Sequence, residues 1–244
     1  MSEKLWYLKN CRLFEQLSHE ELRRIEDSSR AKTFTRNSPI YLPADSASSV
    51  LLLASGRAKI CNLTPDGKQS ILAFIEPGEL FGELALIESG QRDEYAEAVE
   101  KSAIVLIPSY VMHDLVQRYP NVSLGVTKVF GLRRKRIERR LKNLLFLSNR
   151  QRLTHLLLEL TEQYGVRGGD GIRLRIQLSH QDLANIIGST RETVAVVLGE
   201  MQAEGILRVG RRKIVIADPQ KLAQTVDTTA PEIPDPTPSL RYEL

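Results

Sequence analysis

Between Ser179 and Met201 the sequence carries side chains suited to reading nucleic acid. Leu183, Ile186 and Ile187 share one helical face, and Val194, Val197, Leu198 and Met201 share another, so two amphipathic helices follow one another. Each opens on a capping signal, Ser179 with Asp182 and then Ser189 with Glu192. Gly188 lies between them, where a short turn lets two helices cross steeply. The pattern predicts a helix-turn-helix whose second helix enters a DNA major groove. There Arg191 can fork onto guanine and Glu192 can accept from the cytosine amino group. Ser179, His180, Gln181, Ser189, Thr190 and Thr193 are the polar side chains expected around them. Helical hairpins with a glycine corner also serve as plain packing units, in which Glu192 would only complete a capping box.

The segments on either side are those such a unit needs. Residues 150–164 read as a helix through Leu153, Leu156, Leu157 and Leu160, and residues 172–176 alternate like an edge strand. After the helix pair, residues 206–216 form a compact hairpin whose turn is basic, with Arg208, Arg211, Arg212 and Lys213 placed for phosphate contacts. This makes a winged helix-turn-helix. Upstream, residues 120–147 predict one long helix on which Val122, Val126, Val129, Ile137, Leu141 and Leu144 approximate a seven-residue repeat, interrupted at Arg133. Such a seam needs a partner, and a second copy of the chain is the simplest; part of it can instead pack on its own barrel. A helix at 18–29 precedes short strands at 49–55, 57–63, 69–75 and 96–107, with a Pro65–Lys68 hairpin turn and a short helix at 109–118. Evenly spaced strands of this kind predict an antiparallel jelly roll or barrel.

Charge divides the chain in the same way. Residues 1–130 hold 15 Lys/Arg and 17 Asp/Glu, residues 131–217 hold 17 and 8, and residues 218–244 hold 2 and 5. A near-neutral front and a basic back fit a sensor joined to a polyanion binder. No stretch of 18 apolar residues or apolar leader is present, so no membrane association is expected. Cys11 and Cys61 form neither a disulfide framework nor a ligand set for zinc or an iron–sulfur cluster, which points to a reducing cytoplasm. The histidines at 19, 113, 155 and 180 lie outside the predicted barrel strands, so a metal oxygenase site, a haem ligand motif and a nucleophile–base pair are all unsupported. Catalysis is not expected. A rival reading is a non-specific architectural or RNA-binding protein using the basic run 133–142, in which Ile137 and Leu141 nevertheless keep helical spacing.

The order of parts resembles the cyclic-AMP receptor protein/fumarate–nitrate regulator (CRP/FNR) superfamily of bacterial transcription factors over most of the chain. The most specific pieces are Phe81-Gly82-Glu83-Leu84-Ala85-Leu86, similar to the family's nucleotide cassette, and Gly188-Ser189-Thr190-Arg191-Glu192-Thr193-Val194, similar to its recognition helix. Asn143-Leu144-Leu145-Phe146-Leu147 matches the segment ahead of the hinge. The resemblance implies an α+β protein in three parts: a cyclic-nucleotide-binding-like β jelly roll at 1–119, a dimerisation helix at 120–147 and a winged helix-turn-helix at 148–224; composition adds a Pro-rich acidic tail at 225–244 expected to be disordered. The resemblance also implies a homodimer joined through Val126, Val129, Ile137, Leu141 and Leu144, binding a near-palindromic double-stranded operator and acting on RNA polymerase. Gly82, Glu83 and Leu84 are the residues it places at a ligand site, and Arg92 is a further candidate there by proximity.

Departures from the family's pattern argue against cyclic AMP. The Arg-Ser pair that holds the phosphate would fall at Asp93 and Glu94, counting from Glu83, and two carboxylates repel a phosphate. Arg92 is one residue out of register and on that count points elsewhere. The Thr-Ser pair that meets adenine aligns with Ile137-Glu138, and the third base-reading position, commonly arginine, is Val196. The reading is therefore a regulator without a cofactor and without cyclic AMP, with a cyclic dinucleotide or a cationic metabolite as the alternative effectors.

Overall fold

The structure, a computed structural model, describes residues 3–87 and 90–233. It separates into two compact units, residues 1–137 and 138–244, the division falling inside the long helix.

In the first unit, helices α1 (Glu3–Lys9) and α2 (His19–Ser28) precede eight strands: β1 (Arg30–Phe34), β2 (Pro39–Tyr41), β3 (Ser49–Ser55), β4 (Ala58–Leu63), β5 (Gln69–Ile75), β6 (Leu80–Phe81), β7 (Tyr95–Ala98) and β8 (Ser102–Pro108). They form two antiparallel four-stranded sheets in the orders β1-β8-β3-β6 and β2-β7-β4-β5, the interleaved order of a jelly roll. Helices α3 (Ser109–Arg118) and α4 (Pro120–Phe146) follow. The unbroken apolar run of β3 has a direct cause. Leu51 and Leu53 point between the sheets with Ile60, Ile75, Phe81 and Ile104. Val50 and Leu52 point to the other face, against Leu8, Phe14, Ile25, Met112 and Val122 from the helices. A strand covered on both sides loses the polar alternation of a half-exposed one.

Two expectations are corrected here. The single strand at 96–107 is two, β7 and β8, because Val99 is tied to the Arg57 carbonyl and the chain turns before Ser102. On α4, Val122 and Val126 are buried in the helical core of their own chain, so Val126, expected on a surface for a second copy, packs instead on its own unit.

The second unit holds the rest of α4 and α5 (Asn149–Tyr164), β9 (Gly165–Gly168), β10 (Gly171–Leu174), α6 (His180–Ile187), α7 (Arg191–Ala203), β11 (Leu207–Gly210), β12 (Lys213–Ile216) and α8 (Pro219–Gln224). The strands form one antiparallel sheet in the order β11-β12-β10-β9. Ser148 caps α5 through a reciprocal box with Gln151, and α5 buries Leu153, Leu156, Leu157, Leu160 and Tyr164 beneath α6, α7 and α8. The tail departs from expectation as far as it is described. Ile233 is buried, with its methyl end against Gly165, because that glycine leaves a gap at the start of β9. Residues 234–244 lie outside the described residues.

Candidate nucleic-acid interface and sensor cavity

The helix pair forms where its apolar faces require. Ser179 caps α6, accepting from the Asp182 amide at 3.1 Å while the Asp182 carboxylate accepts from the Ser179 amide at 2.9 Å. Gly188 ends α6 in the left-handed region (φ 66°, ψ 50°), which costs a residue without Cβ nothing. A Cβ there would also meet the Leu144 methyl at 3.2 Å.

The cap of α7 is one residue later than the sequence pattern implies. Thr190 is the cap, its hydroxyl accepting from the Thr193 amide at 3.2 Å. The expected Ser189–Glu192 box does not form. Glu192 is therefore not held in a cap, and it lies exposed beside Arg191. Val194, Val197, Leu198 and Met201 face inward, leaving Val196, 61% exposed, on the outward face. That face presents a cation, a carboxylate and an apolar patch in the helix's first two turns.

The wing completes the surface. Gly210 pairs with Lys213, leaving Arg211 and Arg212 as a two-residue turn. Gln202 of α7 accepts from the Val209 amide at 2.9 Å and ties the wing to the helix. Between them opens a groove of about 550 Å³, lined by Ser179, His180 and Gln181 on one side, Arg191, and Arg211, Arg212 and Lys213 on the other. Arg208 does not line it; its guanidinium is 3.3 Å from the Asp170 carboxylate. The groove thus gathers four of the five expected cations from two separate stretches of sequence. As an expected outcome, Arg211→Ala weakens binding to every duplex alike and lowers the salt slope by about one unit, read from affinities across a salt series.

The ligand-site residues of the barrel also come together, but their charged groups are engaged by other groups of the chain. Gly82 is left-handed (φ 65°), and a Cβ there would come within 2.6 Å of Arg92 Nη1. Glu83 is buried and ion-paired with Arg133 of α4, which also donates to the Leu80 carbonyl. Arg92, expected to point elsewhere, is instead buried at the cavity. It donates to the Ser49 carbonyl at 2.6 Å and lies 4.3 Å over the Tyr41 ring. Counting from Glu83 presumes a loop of fixed length. The Arg92 backbone, exchanging hydrogen bonds with Ala44 and Asp45, sets its direction inward. Tyr41 donates to Glu94 at 3.2 Å. Burial, then the nearby Glu83 charge, pushes the Glu94 carboxyl above its ordinary range, and burial lowers Arg92. The space remaining, about 30 Å³ bordered by Gly82, Leu84, Gln91 and Asp93, has room for a water or two.

Along α4, Ile137, Leu141 and Leu144 are each about half exposed. Leu124, Leu132, Leu145 and Phe146, not singled out by the heptad pattern, are exposed as well. Among the described residues no helix is long and apolar enough to cross a membrane.

A mixed jelly-roll and winged helix-turn-helix chain of this kind has clear relatives. Residues 31–119 match the cyclic nucleotide-binding domain and residues 151–225 the Crp-like helix-turn-helix domain. The global nitrogen regulator of Synechocystis sp. is 30% identical over 195 residues, 79% of this chain and 87% of that one. The cyclic AMP receptor protein of Thermus thermophilus is 30% identical over 203 residues, 83% and 91% of the two chains. The solved structure of a CooA mutant from Carboxydothermus hydrogenoformans superposes with a TM-score of 0.76 at 28% identity, covering 90% of this chain and 97% of that one. The chain belongs to the CRP/FNR family of transcription regulators, whose members are not enzymes.

Proposed function

We propose that the chain binds a near-palindromic operator in the cytoplasm as a homodimer and regulates transcription through contact with RNA polymerase. The observation that supports this best is the outward face of α7. Arg191, Glu192 and Val196 are exposed together, and Arg191 lines one groove with the wing cations. Guanidinium, carboxylate and branched methyls are three different base-edge readers, whereas a purely electrostatic binder needs only cations. The exposed Ile137, Leu141 and Leu144 supply the apolar surface for a second copy. Selection of bound duplexes from a random pool tests the reading: an inverted repeat should be enriched, and a pool left unchanged would reject sequence recognition.

The barrel is proposed to work without cyclic AMP. Arg92, the cation available for a phosphate, is held by the Ser49 carbonyl, and two carboxylates, Asp93 and Glu94, line the same cavity. Binding a nucleotide there would require separating these groups and enlarging the space. A calorimetric titration with cyclic AMP at micromolar concentration is expected to give no saturable heat; a saturable isotherm would overturn the proposal.

A further inference from the structure

A single side chain outside the DNA-facing surface holds the corner from which the recognition helix starts. Arg152 is the fourth residue of α5, at the positive end of its own helix dipole, where a cation is electrostatically misplaced. Its guanidinium instead reaches the carboxyl end of α6, donating from Nη1 to the Ile187 carbonyl at 2.8 Å and to the Gly188 carbonyl at 3.4 Å. Those carbonyls belong to the last turn of a helix, which has no intrahelical donors left and favours a cation. Asn149 accepts from Nη2 at 2.7 Å and fixes the fork. The Leu144 methyl covers Gly188 from the end of α4. Arg191, the first residue of α7, stands only three positions after Gly188. The neighbouring Arg150 holds the far end of α7, paired with Glu200 at 3.1 Å and Glu204 at 2.7 Å.

We propose that Arg152 is a positioning residue for operator recognition: as a C-terminal clamp supplied to α6 from α5, it fixes the turn and so the direction in which α7 presents Arg191 and Glu192. The guanidinium is planar and its donors have fixed directions, so two carbonyl bonds and one to Asn149 define an orientation that a flexible ammonium does not. This inference rests on the operator-binding reading above, and its test separates the two.

In the full-length protein, R152Q is expected to lower affinity for the selected operator about ten- to a hundredfold while changing affinity for an unrelated duplex by less than about threefold. R152K should recover part of the loss, and N149A, which leaves the arginine but frees its fork, should show a smaller loss of the same kind. In the free protein, hydrogen exchange at the Gly188 and Ser189 amides, both bonded to the Ala184 carbonyl, should quicken about tenfold or more in R152Q. The amide of Leu183, at the other end of α6, should not change. Equal losses on operator and unrelated DNA, full rescue by lysine, or unaltered exchange at Gly188 and Ser189 would each overturn the assignment. Failure of the wild-type protein to prefer any sequence would count against operator binding, and the exchange measurement decides the clamp without DNA.

Discussion

Replacing Arg191 by alanine is expected to weaken binding to the selected operator by about 1–3 kcal/mol and to relax the preference at a single base pair. Arg191 is exposed, opens α7 next to the Thr190 cap, and lines the groove shared with the wing. A cation in the first turn opposes its helix dipole, so its removal should leave thermal stability unchanged or slightly raised. Loss of binding without loss of stability marks a residue kept for its contact. Parallel titrations on operator and unrelated duplex provide the check, together with repeated selection using the variant. Equal weakening on both duplexes would reduce Arg191 to one more phosphate cation, and the base-reading role would fall.

Glu83→Gln is expected to destabilise the barrel unit by about 3 kcal/mol, the lower end of the cost of orphaning one partner of a buried ion pair. Glu83 is 6% exposed and the Arg133 side chain 19% exposed, so the remaining guanidinium would keep little water, with the Leu80 carbonyl as its hydrogen-bond acceptor and Glu94 as the nearby charge. Adding Arg133→Met should restore part of the loss, because it removes the buried guanidinium that the first substitution leaves without its carboxylate. Chemical unfolding of the single and double variants measures both steps. A single variant within about 0.5 kcal/mol of wild type would show that the pair carries no such weight. The pair bears on the effector as well: the cassette glutamate is already engaged by the chain's own arginine.

Patterning made much of this architecture readable. The two apolar faces in residues 183–201 appear as α6 and α7, and the basic hairpin appears as a wing whose Arg211, Arg212 and Lys213 line the groove. What the sequence hid were matters of register and of partners distant along the chain. Ser189 and Thr190 are both good caps, and only the backbone around Gly188 decides that Thr190 takes the role. Arg92 was misdirected by counting along a loop, since inward direction follows from hydrogen bonds to Ala44 and Asp45 and not from spacing. Val126 fits the seven-residue repeat as well as Ile137 does, but the helical core of its own protomer claims it. Strand β1, rich in polar residues, and β2, only three residues long, carry no readable apolar alternation and are fixed by pairing with β8 and β7. Arg152 gave no readable signal, because the carbonyls it caps lie some 35 residues away along the chain.

Helical phasing of the operator tests the central claim most directly. Two copies laying α7 into successive major grooves on one side of a duplex require half-site centres about one turn, roughly 34 Å, apart. Inserting about five base pairs between the half-sites turns one of them to the opposite face, and inserting about ten returns it at a greater distance. Affinity of the full-length protein for the half-turn insertion is expected to fall to that of a single half-site. Equal affinity for the native and half-turn spacings, with one copy bound per half-site, would contradict a homodimer reading both halves together.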